Sequence, residues 1–169
     1  MIFIKYALLL LIFLISTTIG NLKSKKYYKR VEELIEMKNA LNIFKTKIKF
    51  TYEPIPVIFE EIGMSLNGNI AELFCTAHKK MNEMSAGQAW EKTVDTLQTN
   101  MNGEDINVLK KLGKLLGKTD LDGQISEIDL NSTFLDTQIK KAEEERKKNE
   151  KLYKTLGLVM GLTIVIILV

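Results

Sequence analysis

The amino-acid sequence predicts an all-α membrane protein, with a cytoplasmic six-helix bundle flanked by N-terminal and C-terminal transmembrane helices. Three observations lead to this prediction. Each end of the 169-residue chain is apolar, each apolar end has a basic inner flank, and the middle has no long alternation of apolar and polar residues. Because half-buried strands show such alternation, the middle of the chain is expected to be helical.

The first apolar segment covers residues 1–22 and contains the sequence YALLLLIFLISTTI. A helix of this length, at about 1.5 Å per residue, crosses a hydrocarbon layer about 30 Å thick. The basic residues that follow it are Lys23, Lys25, Lys26, Lys29 and Arg30. Because a dense basic stretch resists translocation, it predicts that the following domain is cytoplasmic. A cleavable signal peptide is the alternative, but no A-x-A-like cleavage site follows.

The central domain divides into helices at its turn residues. Pro54 and Pro56 end the first helix, and Asn67-Gly68-Asn69 separates two short ones. Ser85 is expected to cap a fourth helix, and Gly117 to stop a fifth. The first five helices are expected at about 23–52, 56–66, 70–84, 86–97 and 104–116.

A sixth helix is predicted from residue 121 onward by apolar or small residues that recur in fours and threes. These residues are Leu121, Ile125, Ile128, Ser132, Leu135, Ile139 and Ala142. Their spacing is typical of a coiled-coil seam. The charged run KKAEEERKKNEK continues the helix without an apolar face, and it is expected to be a solvated stalk or, alternatively, a partner-binding surface.

The second apolar segment covers residues 155–169 and is short. Its fifteen residues make about 22 Å of helix, so a full crossing needs Leu152 and Tyr153 to join, and partial insertion stays open. Gly157 and Gly161 form a GxxxG pattern that lets helices, including those of a second copy, approach closely in lipid. The alternative is that glycine is simply common in membrane helices.

Composition and charge limit the classes of function. The formal net charge is only +3, and the basic residues crowd the inner flanks of the apolar ends, which indicates a membrane surface rather than nucleic acid. The single cysteine, Cys75, excludes an intramolecular disulfide. About 130 residues remain between the ends, enough for one domain. The predicted organisation is an anchor at 1–22, a cytoplasmic helical bundle at 23–154 and a transmembrane segment at 155–169.

Motifs for nucleotide and metal binding are incomplete. The string from Gly113 to Thr119 resembles a phosphate-binding loop, but it has three residues between its glycines where that motif needs four. An acidic stretch after residue 119 imitates a calcium loop, yet Gly123 stands at its fourth position instead of its sixth. Asp120 is instead expected to cap the sixth helix. No metal, cofactor or nucleotide is therefore predicted.

Cys75 and His78 lie three residues apart on one helical face, the minimum that a thiol and its base require. With one cysteine and one histidine, no zinc site can form from soft ligands alone. The chain is expected not to be an enzyme. The alternatives are a membrane-anchored thiol enzyme that uses this pair and a generic two-pass membrane scaffold.

Four stretches carry a resemblance to a known family. They are the basic run after the first anchor, Ala86-Gly-Gln-Ala-Trp-Glu-Lys92, Val108-Leu-Lys-Lys-Leu-Gly-Lys-Leu-Leu-Gly117 with Asp120 and Gln124, and Glu144-Glu-Arg to Lys151-Leu-Tyr-Lys-Thr-Leu-Gly157 with Gly161. In this order, between two anchors, they resemble the stage III sporulation protein AB family of endospore-forming Firmicutes. The likeness extends over nearly the whole chain.

The resemblance implies a component of the secretion-like channel that links mother cell and forespore. This family is similar to the inner-membrane platform proteins of type II secretion and type IV pilus systems, which have six-helix cytoplasmic domains. The implied partners are a separate secretion-type ATPase and other stage III sporulation membrane proteins. The implied location is the mother-cell membrane at the engulfed forespore. Candidate partner contacts are exposed groups near the fourth to sixth helices: Glu91, Lys110, Lys114 and Asp120.

Overall fold

The chain is all-helical, as the sequence predicts. The structure, a computed structural model, describes residues 2–168 apart from the side chains of Ile2 and Leu115. These residues form six α-helices and no strand: α1 (Ile2–Phe50), α2 (Ile55–Ser65), α3 (Gly68–Lys80), α4 (Ala86–Asp95), α5 (Gly103–Leu115) and α6 (Leu121–Leu168). The all-α fold with long apolar helices at both ends is confirmed. The terminal residues of the two predicted transmembrane segments, Met1 and Val169, lie outside the described residues.

The apolar ends are not separate helices. They are the outer parts of α1, which has 49 residues, and of α6, which has 48. Neither helix has a proline between its apolar segment and its basic flank. The backbone hydrogen bonding therefore continues from one into the other. Both helices are long and apolar enough to cross a membrane. In each helix, only 11% of an apolar stretch of 18 residues is buried within the molecule. Such exposed apolar surface indicates membrane association.

The chain divides into two compact units. One consists of Met1–Val31 and Lys141–Val169, and the other of Glu32–Lys140. In the second unit, α2 packs on α3, α3 on α4 and α4 on α5. The predicted division at residues 22 and 154 concerns the membrane boundary, and it stays a prediction.

An aromatic cluster fills the core of the Glu32–Lys140 unit. Phe44 of α1, Phe59 of α2, Phe74 of α3 and Trp90 of α4 are fully buried. Phe59 contacts the other three rings edge-on, with centroid distances of 4.9 to 5.6 Å. The Trp90 Nε1–H donates to the carbonyl oxygen of Leu109 on α5, at 2.6 Å. Because edge-to-face ring pairs and a satisfied indole N–H are favourable, this cluster holds the five helices that contribute to it in one arrangement.

Local signals set several of the helix ends. Ser85 Oγ accepts from the backbone N–H of Gln88, which confirms it as the cap of α4. The Asp120 carboxylate accepts from the backbone N–H of Gly123 at 3.0 Å, which confirms the predicted cap of α6. Gly117 has a φ of +72°, the left-handed conformation of a helix stop.

Two helices are shorter than the sequence predicts. Helix α3 ends at Lys80 and not near Met84, and α4 ends at Asp95 and not at Leu97. After each end, backbone N–H groups bond to carbonyls three residues earlier, such as Leu97 to Val94. This tightening satisfies the last carbonyls of the helix, and apolar spacing alone does not reveal it.

Candidate partner-binding surface

A charged groove lies along α4 and α5 in the Glu32–Lys140 unit. It encloses about 540 Å³ and is lined by Glu91, Asp95, Asn107, Lys110, Lys111 and Lys114. The structure thus brings together three of the four residues that the sequence selects, namely Glu91, Lys110 and Lys114. We call this feature the α4–α5 groove.

Two glycines determine how closely the walls of the α4–α5 groove approach. A Cβ added at Gly87 of α4 would collide with the carbonyl oxygen of Gly113 on α5. A Cβ added at Gly113 would lie 2.8 Å from the Trp90 ring and 3.0 Å from Glu91 Cγ. Because only hydrogen fits at these positions, the backbones of α4 and α5 can pack directly. Neither glycine stands out from its spacing alone, so the sequence analysis missed their role.

The groove carries charges of both signs. Lys110 Nζ lies 2.5 Å from Asp95 Oδ1, and both side chains are substantially exposed, so this pair contributes little to stability. Lys111 Nζ lies over the ring of Phe134 on α6, 4.6 Å from its centroid. The lining contains three lysines and two carboxylates, Glu91 and Asp95, so it keeps an excess positive charge.

The fourth selected residue, Asp120, is not part of this lining. Its carboxylate binds the backbone N–H of Gly123 at the start of α6. A carboxylate at a helix N-terminus is stabilised by the unpaired N–H groups there, which gives Asp120 a structural role. Whether any of the four residues contacts a partner stays a prediction.

Cys75 and His78 both contact α2. The Cys75 Sγ packs against the backbone of Gly63, where an added Cβ would collide with it. His78 Nδ1 lies 2.9 Å from the carbonyl oxygen of Pro56. Because a carbonyl can only accept, this hydrogen bond assigns the proton to Nδ1. Within residues 2–168, no group of three His, Cys, Asp or Glu side chains is placed to hold a metal ion.

The unit formed by Met1–Val31 and Lys141–Val169 brings the two apolar segments together. Gly20 and Gly157 face each other, and a Cβ on either would lie 2.9 Å from the Cα of the other. The Ser16 hydroxyl donates to the carbonyl oxygen of Gly157 at 2.8 Å. A Cβ at Gly161 would meet Phe13 and Ser16. Gly20 and Ser16 were missed in the sequence because a small residue is informative only once its partner helix is known.

Charged and aromatic contacts continue beyond the glycines in the same unit. The rings of Tyr27 and Tyr153 stack at 5.7 Å. Arg30, which is buried, donates to Glu145 at 2.7 Å. Burial raises the pKa of the Tyr27 hydroxyl, and its hydrogen bond with Tyr153 adds to the increase. In these contacts, residues with higher numbers on α1 lie against residues with lower numbers on α6. Within this unit the two helices therefore run antiparallel.

Comparison with known proteins decides the family. The family model for stage III sporulation protein AB matches residues 5–169. The chain belongs to the stage III sporulation protein AB family. It is similar to stage III sporulation protein AB of Bacillus subtilis (strain 168), with 28% identity over 159 residues that cover 90% of this chain and 92% of the relative.

A solved structure supports the same family. The structure of a stage III sporulation protein AB (SpoIIIAB) superposes with a TM-score of 0.65 at 25% identity. The match covers 71% of this chain and 98% of that chain. The resemblance drawn from the four sequence stretches is therefore confirmed, and two of those stretches contain the glycines that pack α4 against α5. The relatives are named as sporulation proteins and not as enzymes.

Proposed function

We propose that this protein is a non-enzymatic membrane platform of the mother cell to forespore secretion-like channel, and that it engages a separate secretion-type ATPase. The observation that carries the proposal is the family match over residues 5–169, which includes both apolar segments as well as the helical unit between them. An assembly component needs both, because it must stay in the membrane and also offer a surface to other proteins.

The α4–α5 groove is the proposed site for the ATPase. Its lining carries both positive and negative side chains. The helices beneath it form a rigid support, because the Trp90 hydrogen bond and the close contact of Gly87 with Gly113 hold α4 against α5. Mixed charges on a rigid surface increase the specificity and the rate of association more than they increase the affinity. Lys114 is exposed and Lys110 half-buried, so both side chains can reach a partner.

The proposed mechanism is mechanical. Helix α6 runs without a break from Leu121, beside the proposed contact region in sequence, to Leu168 in the apolar segment. We propose that a displacement imposed on its first part passes to the apolar segment through the continuous backbone of α6, which needs no catalytic group in this chain. The proposed location is the mother-cell membrane at the engulfed forespore, with the helical domain at 23–154 in the cytoplasm.

Deletion of the gene in a sporulating host tests the role. We expect late forespore gene expression to fail, measured with a fluorescent reporter under a late forespore promoter. Normal late expression in the deletion strain would contradict the platform role. It would favour the generic two-pass scaffold.

Charge reversal tests the contact site. The double variant Lys110→Glu and Lys114→Glu is expected to lose most of the ATPase that co-purifies with the wild-type protein in mild detergent. The matched control is Lys79→Glu with Lys118→Glu, which makes the same change of charge at exposed positions that do not line the groove. Equal loss in both double variants would place the contact elsewhere.

Substitution of Cys75 separates the platform from the thiol enzyme. Cys75→Ser removes the nucleophile but keeps a small side chain against Gly63. A platform is expected to retain normal spore yield with this variant. A thiol enzyme would lose its function, so a deletion-like phenotype in Cys75→Ser would overturn the non-enzymatic reading.

A further inference from the structure

A second groove lies between α1 and α6 in the unit formed by Met1–Val31 and Lys141–Val169. It encloses about 540 Å³. Its lining residues are Thr18, Asn21, Leu22, Ser24, Lys25, Tyr28, Glu150 and Lys154. This volume is within the range of about 300–1,000 Å³ that is usual for small-molecule sites. We call this feature the anchor groove.

The position of the anchor groove along both helices is its first informative property. On α1 the lining starts inside the apolar segment, at Thr18, and ends in the basic run, at Tyr28. On α6 it includes Glu150 and Lys154, directly before the second apolar segment. The groove therefore spans the level at which hydrocarbon gives way to headgroups when the apolar segments lie in a bilayer.

The charges of the lining are its second property. Lys25 and Lys154 contribute two ammonium groups. The single carboxylate, Glu150, accepts hydrogen bonds from Lys154 at 2.8 Å and from Arg146 at 3.2 Å. With two lysines and one carboxylate the lining keeps a net positive charge, and the lysines in 23–29 have no carboxylate among them. An anion is therefore the favoured occupant.

The uncharged lining is the third property. Asn21 and Ser24 supply hydrogen-bonding groups, and the Leu22 side chain and the Tyr28 ring supply apolar surface. The guanidinium of Arg146 lies over the Tyr28 ring, 5.2 Å from its centroid, which fixes that ring at the edge of the groove. A ligand that fits this lining has an anionic phosphate, polar groups beside it and an attached hydrocarbon part.

We propose that the anchor groove binds the headgroup of an anionic glycerophospholipid. Lys25 and Lys154 contact its phosphate, Asn21 hydrogen-bonds to the glycerol part, and the acyl chains extend along the apolar segments. Basic pockets between membrane helices at the cytoplasmic interface are suited to anionic headgroups, and each nearby lysine adds to the attraction. The proposal requires only that the apolar segments lie in a membrane, and it is independent of the platform role.

Native mass spectrometry of the full-length protein in mild detergent tests the proposal. Phosphatidylglycerol is the probe, and phosphatidylcholine, which has no net charge, is the comparison lipid. We expect one phosphatidylglycerol molecule to stay bound after the detergent is removed and phosphatidylcholine to bind more weakly. Equal retention of the two lipids would overturn the proposal.

Neighbouring lysines provide the matched variants. Lys25 lines the groove, whereas Lys26 is exposed and does not line it. Lys25→Gln is expected to weaken phosphatidylglycerol binding about fivefold, and Lys26→Gln less than about twofold. Lys25→Arg, which keeps the charge, should bind like the wild type. Equal weakening by Lys25→Gln and Lys26→Gln would mean that only the general basic field attracts lipid, which would overturn the groove.

Two further experiments separate a lipid site from a free-phosphate site and control for misfolding of the variant. Inorganic phosphate at millimolar concentration should not displace the lipid, and displacement would identify a free-phosphate site instead. If Lys25→Gln loses helicity by circular dichroism, Asn21→Ala replaces it, because this variant alters the same lining without changing the charge. Unchanged binding by a folded Asn21→Ala together with a misfolded Lys25→Gln would also overturn the proposal.

Discussion

At the scale of single residues, Glu33 is the polar group that joins separate parts of the Glu32–Lys140 unit. It is only 7% exposed. Its carboxylate accepts from the side chains of Asn69, Thr99 and Asn100 and from the backbone N–H of Asn100. It therefore ties α1 to the start of α3 and to the segment between α4 and α5. Because a buried charge is tolerated only when it is fully hydrogen-bonded, these contacts must form together.

Removal of Glu33 should be costly. Glu33→Ala leaves several buried donors without their acceptor, so we expect a loss of about 3 kcal/mol in the free energy of unfolding. Its exposed neighbour Glu32 provides the control, and Glu32→Ala should change stability by less than about 0.5 kcal/mol. Urea unfolding followed by Trp90 fluorescence measures both. Similar losses in the two variants would show that the hydrogen bonds of Glu33 add little.

The raised pKa of Glu36 predicts that the stability of the folded protein depends on pH. Burial raises its pKa above the ordinary value of 4.5, and the nearby Glu32 and Glu33 charges add to the increase, against a backbone hydrogen bond from Asn67 that lowers it. The folded state therefore binds the proton more tightly than the unfolded state. Stability contributed by protonated Glu36 is thus lost as the pH rises from about 4.5 through the raised pKa.

Glu36→Gln should remove this dependence. Relative to the wild type, the variant is expected to gain stability at pH 7 and to show no such gain at pH 4, where wild-type Glu36 is already protonated. Melting temperatures at the two pH values provide the measurement, and the control is Glu72→Gln, at an exposed position that is not among the groups that shift the pKa of Glu36. A constant difference between Glu36→Gln and the wild type across this range would contradict the assignment.

At the scale of elements, glycine pairs set the spacing at two helix–helix contacts. Gly87 with Gly113 brings α4 onto α5, and Gly20 with Gly157 brings the apolar part of α1 onto that of α6. Small residues allow backbones to approach, so that many weak contacts and the Ser16 hydrogen bond can form. The two glycines of the first pair lie in two of the stretches that carry the family resemblance, 86–92 and 108–117.

Gly157→Val should separate α1 from α6. Its Cβ would lie 2.9 Å from Gly20 Cα and 3.0 Å from the Ser16 carbonyl oxygen, and neither backbone atom can move alone. The measurement is the yield of crosslinking between cysteines at Tyr27 and Tyr153 in a Cys75→Ser background. We expect at least an about fivefold lower yield, equivalent to about 1 kcal/mol in the packing equilibrium. Met160→Val, at an exposed position on the same segment, should leave the yield unchanged.

The sequence predicted the elements well because each depends on local information. Apolar spacing, prolines and caps such as Ser85 and Asp120 act within a few residues, and helices α2 to α6 begin within about two residues of expectation, whereas α1 begins at Ile2 because the apolar segment and the predicted first helix are one continuous helix. The glycine contacts and the bonds of Glu33 depend on which helix lies opposite. A single sequence does not contain that pairing, so Gly20, Gly87 and Glu33 could not be selected from it.

The candidate site was predicted only in part, for the same reason. Lys110 and Lys114 are one turn apart on α5, so their common face follows from helical spacing. Their proximity to Glu91 required α4 to pack on α5 in the observed register. Asp120 was selected as an exposed group near the fourth to sixth helices, but its carboxylate caps α6, and capping and partner binding compete for the same oxygens.

At the scale of the whole molecule, the basic flanks predict that both ends of the chain face away from the cytoplasm. Single cysteines introduced at Phe3, Leu168 and Lys79 in a Cys75→Ser background test this topology with a membrane-impermeant maleimide on intact non-sporulating cells that express the protein. We expect labelling at the first two positions and none at Lys79 until the cells are opened. Labelling at Lys79 in intact cells would reverse the orientation.

The contact between Ser16 and Gly157 joins positions 141 residues apart. During synthesis the first apolar segment therefore enters the membrane long before its packing partner exists. In that interval the Ser16 hydroxyl can bond only to its own helix, and the Gly20 surface faces lipid. Closing so long a loop is entropically costly, although the cost rises only slowly with length. A chain truncated before Gly157 would therefore lack the partner that Ser16 and Gly20 contact.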